Sequence, residues 1–487
     1  MRPRLSMRVL ALLCAAGSAL AFAGAAQAQR YVVLYRGSQV SAPVAERNVV
    51  QAGGQLVAAY SQIGVVVAES SSPAFETAIE ALPRVEGAAP TAPYALASGQ
   101  EGDPAWDGNL ENEPATDGDT FSSRQWGLDL IHAKEAHALT GGSPSVLVAH
   151  IDTGVDAAHP DLLPNLDVAD SVSCVGGAPN GDPAAWNDDS GHGTHTAGII
   201  AAADNGRGVV GVAPNVRIAA VKASIRRGAA DIFLPEAVVC SFMWAAAHGA
   251  DVANNSYTVD NEFVGQSVDL FCGTDANQRT ISESIRRSVE WATFRGVTVV
   301  AAAGNSNLDV AASPCLRLPS GLPGVVTVGG VGPSGQRSSF SNFGLGYVDV
   351  AAPAGEVPPF AMPPTSFILS TSPANPAFFN ANTLCDPVTS PCPVPGTVAG
   401  VGYYRFMAGT SMAAAHVSGV AALVVSRYGK DTSAFIGQMR PRRVRAILME
   451  TADPRPCPPA PTTCQGVDAL NGWYGAGIVN ALSAITR

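Results

Sequence analysis

The chain has 487 residues, of which 47% are hydrophobic and 14% are charged, so it can bury a large core and hold two or three domains. Its 40 acidic and 29 basic residues give a formal net charge of −11. Because no block of basic residues stands out, nucleic acid is not expected as a partner.

Residues 1–28 have the three parts of a secretory signal peptide. Three arginines lie among the first eight residues, an apolar run follows to about residue 22, and Ala26-Gln27-Ala28 has the small residues of a cleavage site. A retained membrane anchor is the alternative, but the run is short for a membrane-spanning helix. We therefore expect a secreted protein, extracellular or periplasmic, that has no membrane contact once the signal is removed.

Residues 29–100 predict a small α+β unit, followed by a linker. Residues 101–122 are acidic and rich in Gly, Asp and Pro, a composition typical of an exposed linker, and we expect proteolytic processing there. Within the small unit, strands are predicted at 31–35 and 64–68, and helices at 44–51 and 74–82.

From residue 123 to residue 487, apolar runs of strand character alternate with helical segments. The runs are continuously apolar, which indicates a mostly parallel sheet covered on both faces, as in a doubly wound α/β domain. In such a fold, reactive side chains gather at the carboxyl ends of the strands. Strands are predicted at 146–152, 216–223, 251–257, 297–303, 325–331 and 348–351, and helices at 235–248, 281–295 and 412–428.

Residues 355–403, called the insertion below, interrupt this alternation. They contain ten prolines and no clear periodicity. Proline cannot donate a backbone hydrogen bond to a central strand. The pattern therefore predicts a long surface loop.

Removal of the signal leaves eight cysteines, an even number in a chain bound for an oxidising compartment. We expect four disulfides, and the pairs Cys385 with Cys392 and Cys457 with Cys464 are spaced like local loop staples. Sequence alone leaves the connectivity open. Zinc is the rival interpretation, but the chain lacks the closely spaced Cys and His pairs of a zinc site.

Two segments place a carboxylate and a histidine at the ends of predicted elements. Asp152 ends a buried strand, a position where an Asp more often caps a turn than takes part in chemistry. His192 and His195 open a helical segment and share one helix face. A metal site is the alternative, but the Glu of a His-Glu-x-x-His metalloprotease is missing. We interpret His192 as a general base that needs a partner and His195 as a hydrogen-bonded helix residue.

Ser411 lies at the start of a predicted helix built from small residues. Backbone N–H groups at such a helix start favour a developing negative charge next to the hydroxyl. The alternative is an ordinary N-cap serine. Taken alone, Ser411 does not establish a nucleophile.

The order Asp152, His192, Ser411, with the sequences around these residues, resembles the subtilisin family of serine proteases. The resemblance extends from about Gln125 to the C-terminus. It implies an endopeptidase that hydrolyses polypeptides through an acyl-enzyme intermediate, acts as a monomer, and carries residues 29–100 as a propeptide that inhibits its own chain. Further matches are His159-Pro160-Asp161-Leu162, Gly211-Val212-Ala213-Pro214, Ala302-Ala303-Gly304-Asn305 and Gly475-Ala476-Gly477-Ile478-Val479-Asn480-Ala481.

The resemblance also implies individual roles. Ser411 attacks the scissile carbonyl, His192 takes and returns its proton, and Asp152 orients the imidazole. The Asn305 amide and the Ser411 N–H stabilise the oxyanion. The implied substrate-binding residues are Ser256, Tyr257, Thr258, Ala303 and Gly304.

A structural Ca²⁺ site is a further implication of the resemblance. Oxygen ligands from carboxylate, amide and backbone carbonyl groups suit this hard cation. The charge of Arg207 is an objection, because this residue would offer only its carbonyl. The implied ligands are Gln125, Asp161, Ala203, Asn205, Arg207 and Val209.

Two positions depart from the family pattern. Where the family's substrate-binding strand reads Ser-Leu-Gly-Gly, this chain has Ser256-Tyr257-Thr258-Val259, so Tyr257 either narrows the first pocket or simply packs. Ala415 replaces a proline after the nucleophile, and we expect activity to survive.

One alternative function is an inactive relative that keeps the cleft for binding. Another is an esterase, but its Gly-x-Ser-x-Gly motif is missing around Ser411.

Overall fold

The computed structural model describes residues 28–37, 39–91, the backbone of 95–97, and residues 118–228, 230–258, 275–313, 315, 317–356, 364–380, 382–389, 391–429, 439–459 and 462–487. The predicted signal peptide, apart from residue 28, and most of the predicted linker lie outside these residues. Over the part of the chain that is described, no helix combines the length and apolar character needed to span a bilayer.

Residues 28–91 form an N-terminal module with a four-stranded antiparallel sheet and two helices. Strand order is β2-β3-β1-β4. Successive side chains of β1 point to opposite faces: Val33 packs among the module's own helices, whereas Val32 joins the core of the larger domain. Its elements are β1 Gln29–Tyr35, α1 Ala42–Gln51, β2 Gln55–Tyr60, β3 Val65–Ser70, α2 Phe75–Glu80 and β4 Val85–Pro90.

A short strand, β5 (Ala95–Ala97), follows the module and pairs with the main domain instead. The main domain, residues 118–487, is built on a seven-stranded sheet with the order β15-β14-β13-β11-β6-β8-β7. Neighbouring strands of this sheet run parallel, which confirms the predicted doubly wound sheet. Its strands are β6 Leu147–Asp152, β7 Val172–Ser173, β8 Arg217–Lys222, β11 Val252–Asn255, β13 Thr298–Ala302, β14 Val326–Val331 and β15 Val350–Pro353.

A second sheet, with the order β12-β5-β10-β9, lies at the carboxyl end of β11. It is antiparallel and mixes β5 with three strands of the main domain. These are β9 Ser224–Arg227, β10 Ala230–Phe233 and β12 Tyr257–Thr258.

Helices cover both faces of the parallel sheet. On one face α9, rich in Ala and Gly, is buried from Thr410 to Val425, because its small residues allow close packing against β11, β13 and β14. On the other face α7 and α8 separate the sheet from the N-terminal module. The helices are α3 Trp126–Leu130, α4 Ala133–His137, α5 Pro183–Trp186, α6 His192–Ala201, α7 Pro235–Ala247, α8 Ala276–Phe294, α9 Thr410–Tyr428, α10 Pro441–Glu450 and α11 Ala481–Thr486.

The insertion is not a loop throughout, which corrects the prediction for residues 355–403. A three-stranded antiparallel sheet is formed by β16 (Ile368–Ser372), β17 (Leu384–Asp386) and β18 (Gly402–Met407). β16 is buried from end to end, since its short apolar and hydroxyl-bearing run packs against α6. The prolines of the insertion flank these strands rather than interrupt them.

The disulfides include the two predicted local staples, Cys385–Cys392 and Cys457–Cys464. A third bond, Cys174–Cys240, ties the loop after β7 to α7. Cys315 is also disulfide-bonded, to a partner outside the described residues. A small hairpin near the C-terminus, β19 (Gly466–Val467) and β20 (Leu470–Asn471), follows the last of the staples.

Candidate active site

The parallel sheet brings Asp152 and His192 into direct contact. Asp152 is the last residue of β6, and His192 is the first residue of α6. His192 Nδ1 donates a hydrogen bond of 2.6 Å to Asp152 Oδ1, and both side chains are buried. The predicted pairing of general base and carboxylate is therefore formed, and it fixes which imidazole nitrogen carries the proton.

Asp188, which the sequence analysis did not single out, holds the start of α6 in place. Its carboxylate accepts hydrogen bonds from the hydroxyl of Thr153 and from the backbone N–H groups of Gly191 and Thr194. These bonds connect the residue after Asp152 to the residues on both sides of His192. The signal in the sequence is weak, because an Asp four residues before a helical segment also fits an ordinary capping role.

The charges around His192 set its protonation. Burial lowers the pKa of His192, but the carboxylates of Asp152, Asp231 and Asp188 outweigh this effect and raise it to about 8. Burial raises the pKa of Asp152, while the neighbouring His192 and its hydrogen bond more than compensate and leave it below its ordinary value. Asp152 therefore stays ionised whenever the imidazole is available as a base.

His195 takes no part in this pair. Its Nε2 lies 3.1 Å from both the Ile368 and the Arg405 carbonyl oxygens, and burial lowers its pKa to about 3. The interpretation of His195 as a hydrogen-bonded helix residue is confirmed. A metal-binding role with His192 is not supported, because the two imidazoles have different partners.

Ser411 is the second residue of α9 and lies against Ser256. Its Oγ donates to the Ser256 carbonyl oxygen at 2.8 Å, and the Ser256 hydroxyl donates to the Ser411 carbonyl at 3.0 Å. His192 Nε2 has no hydrogen-bond partner among the described residues. The hydroxyl of Ser411 therefore faces Ser256, the residue between β11 and β12, and a hydrogen bond to His192 would require its rotation.

Asn305 is oriented by the residue before Ser411. The Oδ1 atom of Asn305 accepts from the Thr410 N–H at 2.9 Å and from the Thr410 hydroxyl at 3.0 Å. The same hydroxyl accepts from the Gly304 N–H at 3.0 Å. Because Thr410 occupies the oxygen of the amide, the Nδ2 group is left to point away from Thr410 as a donor.

Tyr257 and Thr258, two further predicted substrate-binding residues, contribute mainly backbone groups to the site. Tyr257 is buried, stacks on Phe233 with 4.0 Å between ring centroids, and donates to Asn255 Oδ1. Of the two interpretations of Tyr257, packing is the one that the structure supports. Thr258 is buried as well, with its hydroxyl 3.1 Å from that of Ser320. Tyr257 and Thr258 offer their backbones to β5, opposite Ala97 and Leu96.

The backbone of the residues after β13 is fixed by hydrogen bonds from Asn342 and Tyr347. The Ala303 carbonyl accepts hydrogen bonds from the Asn342 amide and the Tyr347 hydroxyl at 3.0 and 2.7 Å. The Gly304 carbonyl accepts from the Asn342 N–H at 2.8 Å. Asn342 also receives the N–H groups of Ser306 and Leu308, so one side chain fixes the loop that carries Asn305.

The predicted calcium ligands lie together at the loop after α6. Asp161 Oδ2 accepts from the Val209 N–H at 3.0 Å, its carbonyl accepts from Ala203, and Gln125 Oε1 accepts from Val210. Asn205 Oδ1 accepts from the Arg207 N–H at 3.1 Å. The Arg207 guanidinium pairs with Asp386, so its charge already has a carboxylate partner, which answers the objection raised by its charge.

The donor set fits a hard cation. Asp161 is buried and its Oδ1 has no hydrogen-bond partner among the described residues. Burial raises the pKa of this carboxyl to about 7, so the ionised form needs a nearby positive charge. Asp119, absent from the predicted set, receives the N–H groups of Asn205 and Arg207 and adds a second carboxylate. Over the described residues, this site included, no group of three or more His, Cys, Asp or Glu side chains is placed to hold a metal ion, so the oxygen ligands here would be two carboxylates with amide and backbone carbonyl oxygens.

Comparisons with known proteins agree with this arrangement. Residues 143–477 match the model of the subtilase family. The chain is 32% identical to Subtilisin DY of Bacillus licheniformis over 304 residues, which are 62% of this chain and 85% of that protein. It is also 32% identical to the thermophilic serine proteinase of Bacillus sp. strain AK1 over 383 residues, 77% of this chain and 71% of that protein.

Solved structures show the same fold. The epidermin leader peptide processing serine protease of Staphylococcus aureus superposes with a TM-score of 0.66 at 20% identity, covering 94% of this chain and 98% of that chain. Fervidolysin of Fervidobacterium pennivorans gives a TM-score of 0.66 at 23% identity, covering 96% and 62%. Because the match to the family model spans more than half of the chain, the protein is a serine endopeptidase of the subtilase family.

Proposed function

We propose that the protein is a secreted endopeptidase, made as a precursor that cleaves itself and is then inhibited by its own N-terminal module. The observation that carries the proposal is the position of β5, which lies as a strand between β12 and β10. A peptide that adds a strand to an enzyme's sheet edge is bound as a substrate is bound. The signal-like residues 1–28 support export.

The register of β5 supports a cleavage point. Ala97 pairs with Tyr257 and Leu96 with Thr258, so β5 runs toward Ser256 as the chain proceeds from Leu96 to Ala97. The Ser256 carbonyl is within 2.8 Å of the Ser411 hydroxyl. The chain is therefore directed toward the nucleophile where β5 ends, and we infer that the Ser98–Gly99 bond of the sequence is cut, just before the predicted linker.

The geometry supports an acyl-enzyme route. Ser411 Oγ would rotate to His192 Nε2, transfer its proton there and attack the carbonyl carbon, while Asp152 stabilises the imidazolium that forms. The Asn305 Nδ2 group and the backbone N–H groups at the start of α9 would bind the oxyanion. His192 would then protonate the leaving amine, and water would release the acyl group by the same steps in reverse order.

The N-terminal module is suited to act as an inhibitory propeptide. Its sheet buries Val32, Leu34 and Val65 in the same core cluster as α7 and α8. The Arg287 guanidinium of α8 donates to the Tyr35 carbonyl and to Glu86, both at 2.9 Å. The Tyr60 hydroxyl donates to the Gly177 carbonyl at 2.7 Å. With these contacts in place, β5 blocks the strand that a substrate would occupy.

We also propose a structural Ca²⁺ ion at Asp161. Gln125 and Asn205 would supply amide oxygens, Asp119 a second carboxylate, and Ala203, Arg207 and Val209 backbone carbonyls. The ion would supply the positive charge that the buried Asp161 carboxylate lacks. Its effect would be to hold the loop after α6, and through it the helix that carries His192.

The test is expression of the full-length chain beside a Ser411→Ala variant. Ser418→Ala is a matched control, because Ser418 lies on the same helix and is buried, with its hydroxyl bonded to Asn254. We expect wild type and Ser418→Ala to cut themselves, hydrolyse casein and react with a serine-directed phosphonate at Ser411. N-terminal sequencing should find Gly99 first. The Ser411→Ala chain should remain intact and inactive.

Two outcomes would contradict the proposal. If purified wild-type protein neither reacts with the phosphonate nor hydrolyses casein, the chain is an inactive relative. If the Ser411→Ala precursor is processed at the same bond in a host without other proteases, processing does not depend on this serine, and the self-cleavage proposal is wrong.

A further inference from the structure

A buried arginine without a counter-charge lies beside the catalytic histidine. Arg405, on β18, comes six residues before Ser411 and is only 5% exposed. Among the described residues no carboxylate pairs with its guanidinium, and its Nε has no hydrogen-bond partner. Burying a cation is unfavourable unless an anion or several acceptors compensate it. Arg405 is thus the kind of group that binds an anion supplied from outside the chain.

Arg405 is anchored to the helix of the general base. Its backbone carbonyl lies 3.1 Å from His195 Nε2 on α6. Its Nη1 atom lies 3.5 Å from the point where a β-carbon of Gly191 would stand, and Gly191 directly precedes His192. The position of the guanidinium relative to the catalytic imidazole is therefore fixed by both main chain and side chain.

The insertion closes the other side of this guanidinium. The Phe378 ring contacts two arginines, with its centroid 5.9 Å from Arg405 Cζ and 5.5 Å from Arg226 Cζ. Arg226 pairs with Asp231 at 3.2 Å, and Asp231 also receives the Ser190 hydroxyl. Of the two guanidinium groups at this ring, only that of Arg226 has a carboxylate partner among the described residues, which leaves an excess of positive charge.

The carboxylates of Asp188 and Asp189, just before α6, have other partners than Arg405. Asp188 is occupied by the hydroxyl groups of Thr153 and Thr194 and by the N–H groups at the start of α6. Asp189 pairs with Lys222 at 2.6 Å. These carboxylates therefore have partners of their own, and the charge of Arg405 remains uncompensated.

The position of Arg405 relates it to the leaving side of the scissile bond. The acyl side of a bound peptide is held between β12 and β10, where β5 lies. β18 belongs to a different sheet. Because His192 protonates the leaving amine, the peptide beyond the scissile bond must pass this imidazole, next to Gly191 and Arg405.

We propose that Arg405, with Arg226 at the same Phe378 ring, forms a subsite that selects an acidic side chain within the first three residues after the scissile bond. The inference rests on the proposed endopeptidase function and names a feature of its substrates. A carboxylate at the edge of the Phe378 ring would supply the missing counter-charge and accept charge-assisted hydrogen bonds. The insertion then has a role in specificity, since it carries Phe378 and leads into β18.

The test uses internally quenched peptides with a single Asp or Asn at each of the three positions after a common scissile bond. Wild-type enzyme, activated from the full-length precursor, should cleave the Asp peptide with a kcat/KM on the order of tenfold higher than the Asn peptide at one of these positions, the usual scale for a charge-assisted hydrogen bond. The Asp-to-Asn ratio should fall to about one in Arg405→Gln and remain above one in Arg405→Lys, which keeps the charge.

Arg295→Gln is the matched control, because Arg295 lies 5.9 Å from the Trp291 ring at the end of α8. Its ratio should equal that of wild type. Active-site titration with the phosphonate restricts each comparison to folded enzyme, and the Lys variant keeps the test decisive where the Gln variant does not fold. A ratio near one at all three positions in wild type, or a ratio unchanged in both Arg405 variants, overturns the inference. A wild-type protein that cleaves neither casein nor any peptide overturns the proposed function as well.

Discussion

Gly193 and Gly154 approach each other so closely that a β-carbon at position 193 would stand 2.2 Å from the Gly154 carbonyl oxygen. Gly154 follows the end of β6, which carries Asp152, and Gly193 follows His192 at the start of α6. The hydrogen bond between Asp152 and His192 therefore depends on a backbone contact that only glycine at position 193 permits.

The first prediction is that Gly193→Ala separates the catalytic pair. A methyl group has to push β6 and α6 apart by about 1 Å, and a misplacement of that size costs on the order of 100-fold in kcat. Phosphonate titration followed by peptide hydrolysis measures the turnover per active site. Gly181→Ala is the control, since a β-carbon at that position would have no other atom within 4 Å. A Gly193→Ala enzyme with wild-type kcat would show that the contact is not needed.

The second prediction concerns Asn305 and Thr410. Asn305→Ala should lower kcat by about 100- to 1000-fold with little change in KM, a range known from subtilisin itself, because the donor acts on charge that develops in the transition state. Thr410→Val removes the hydroxyl that orients the Asn305 amide but keeps the backbone N–H, so it should lower kcat by roughly tenfold.

Measured kcat and KM for one peptide show whether Thr410→Val acts by disturbing the orientation of the Asn305 amide or by damaging the fold more generally. If the hydroxyl of Thr410 acts through Asn305, adding Thr410→Val to Asn305→Ala should cost nothing more. A double variant whose losses multiply would show that Thr410 acts independently of Asn305.

The pattern of the sequence predicts the parallel sheet because its strands are buried on both faces and are therefore continuously apolar. β6 and β14 were recognisable for that reason, and their observed bounds differ from the predicted ones by one residue. β2 was missed because it is a half-buried edge strand, and β10 because it is only four residues long and contains Asp231. Half-buried edge strands and very short strands both have too little apolar pattern to be distinguished from loops.

The proposed catalytic residues could be located in the sequence because their local sequences resemble those of a family. The groups that orient them could not. Asp188 receives the hydroxyl of Thr153 and Thr410 donates to Asn305, and both contacts form only when separate segments of the chain meet. In the sequence, Arg405 looks like an ordinary strand residue. Its lack of a counter-charge can be recognised only in the folded structure, where the insertion packs against α6.

The third prediction is that release of the N-terminal module depends on pH through Glu236. This carboxyl, at the start of α7, is 1% exposed and packs against the Gly177 backbone, which also contacts Val67 of the module. Burial raises the pKa of Glu236 to about 7, although Arg30 and Thr91 of the module lower it. Arg30 itself pairs with Glu69. When the module leaves, Glu236 meets water and its pKa falls back toward 4.5.

The direction in which pH changes the binding of the module follows from the two pKa values of Glu236, one in the complex and one in free enzyme. The complex holds a proton that free enzyme releases, so binding is strongest below about pH 4.5, weakens by up to about tenfold per pH unit as pH rises toward about 7, and then levels off. Self-processed full-length protein, diluted into buffers from about pH 5 to about pH 8, should gain peptidase activity faster at higher pH. Glu236→Gln should remove this slope. Glu86→Gln, which breaks the ion pair with Arg287, should speed release equally at every pH. An unchanged slope in Glu236→Gln would contradict the role of this carboxyl.

The fourth prediction is that Ca²⁺ stabilises the fold through Asp161. Ion binding to the folded state alone adds about 2.7 kcal/mol when free Ca²⁺ is about a hundred times Kd, which corresponds to several degrees in Tm. Thermal melts are best made on the Ser411→Ala background, where self-digestion is absent. Chelation with EDTA should lower Tm, and added Ca²⁺ should restore it.

The Asp161→Asn variant distinguishes the effect of losing the bound Ca²⁺ from any other effect of EDTA on the protein. The amide keeps the size of the side chain and still accepts the Val209 N–H, but it removes the charge that binds a cation. We therefore expect the Tm of this variant to be the same in EDTA and in Ca²⁺. Asp167→Asn, which breaks an ion pair with Arg217 instead, should keep the full response to Ca²⁺. If Asp161→Asn responds as strongly as wild type, the stabilising ion binds elsewhere, and the buried Asp161 carboxyl is accommodated in its protonated form.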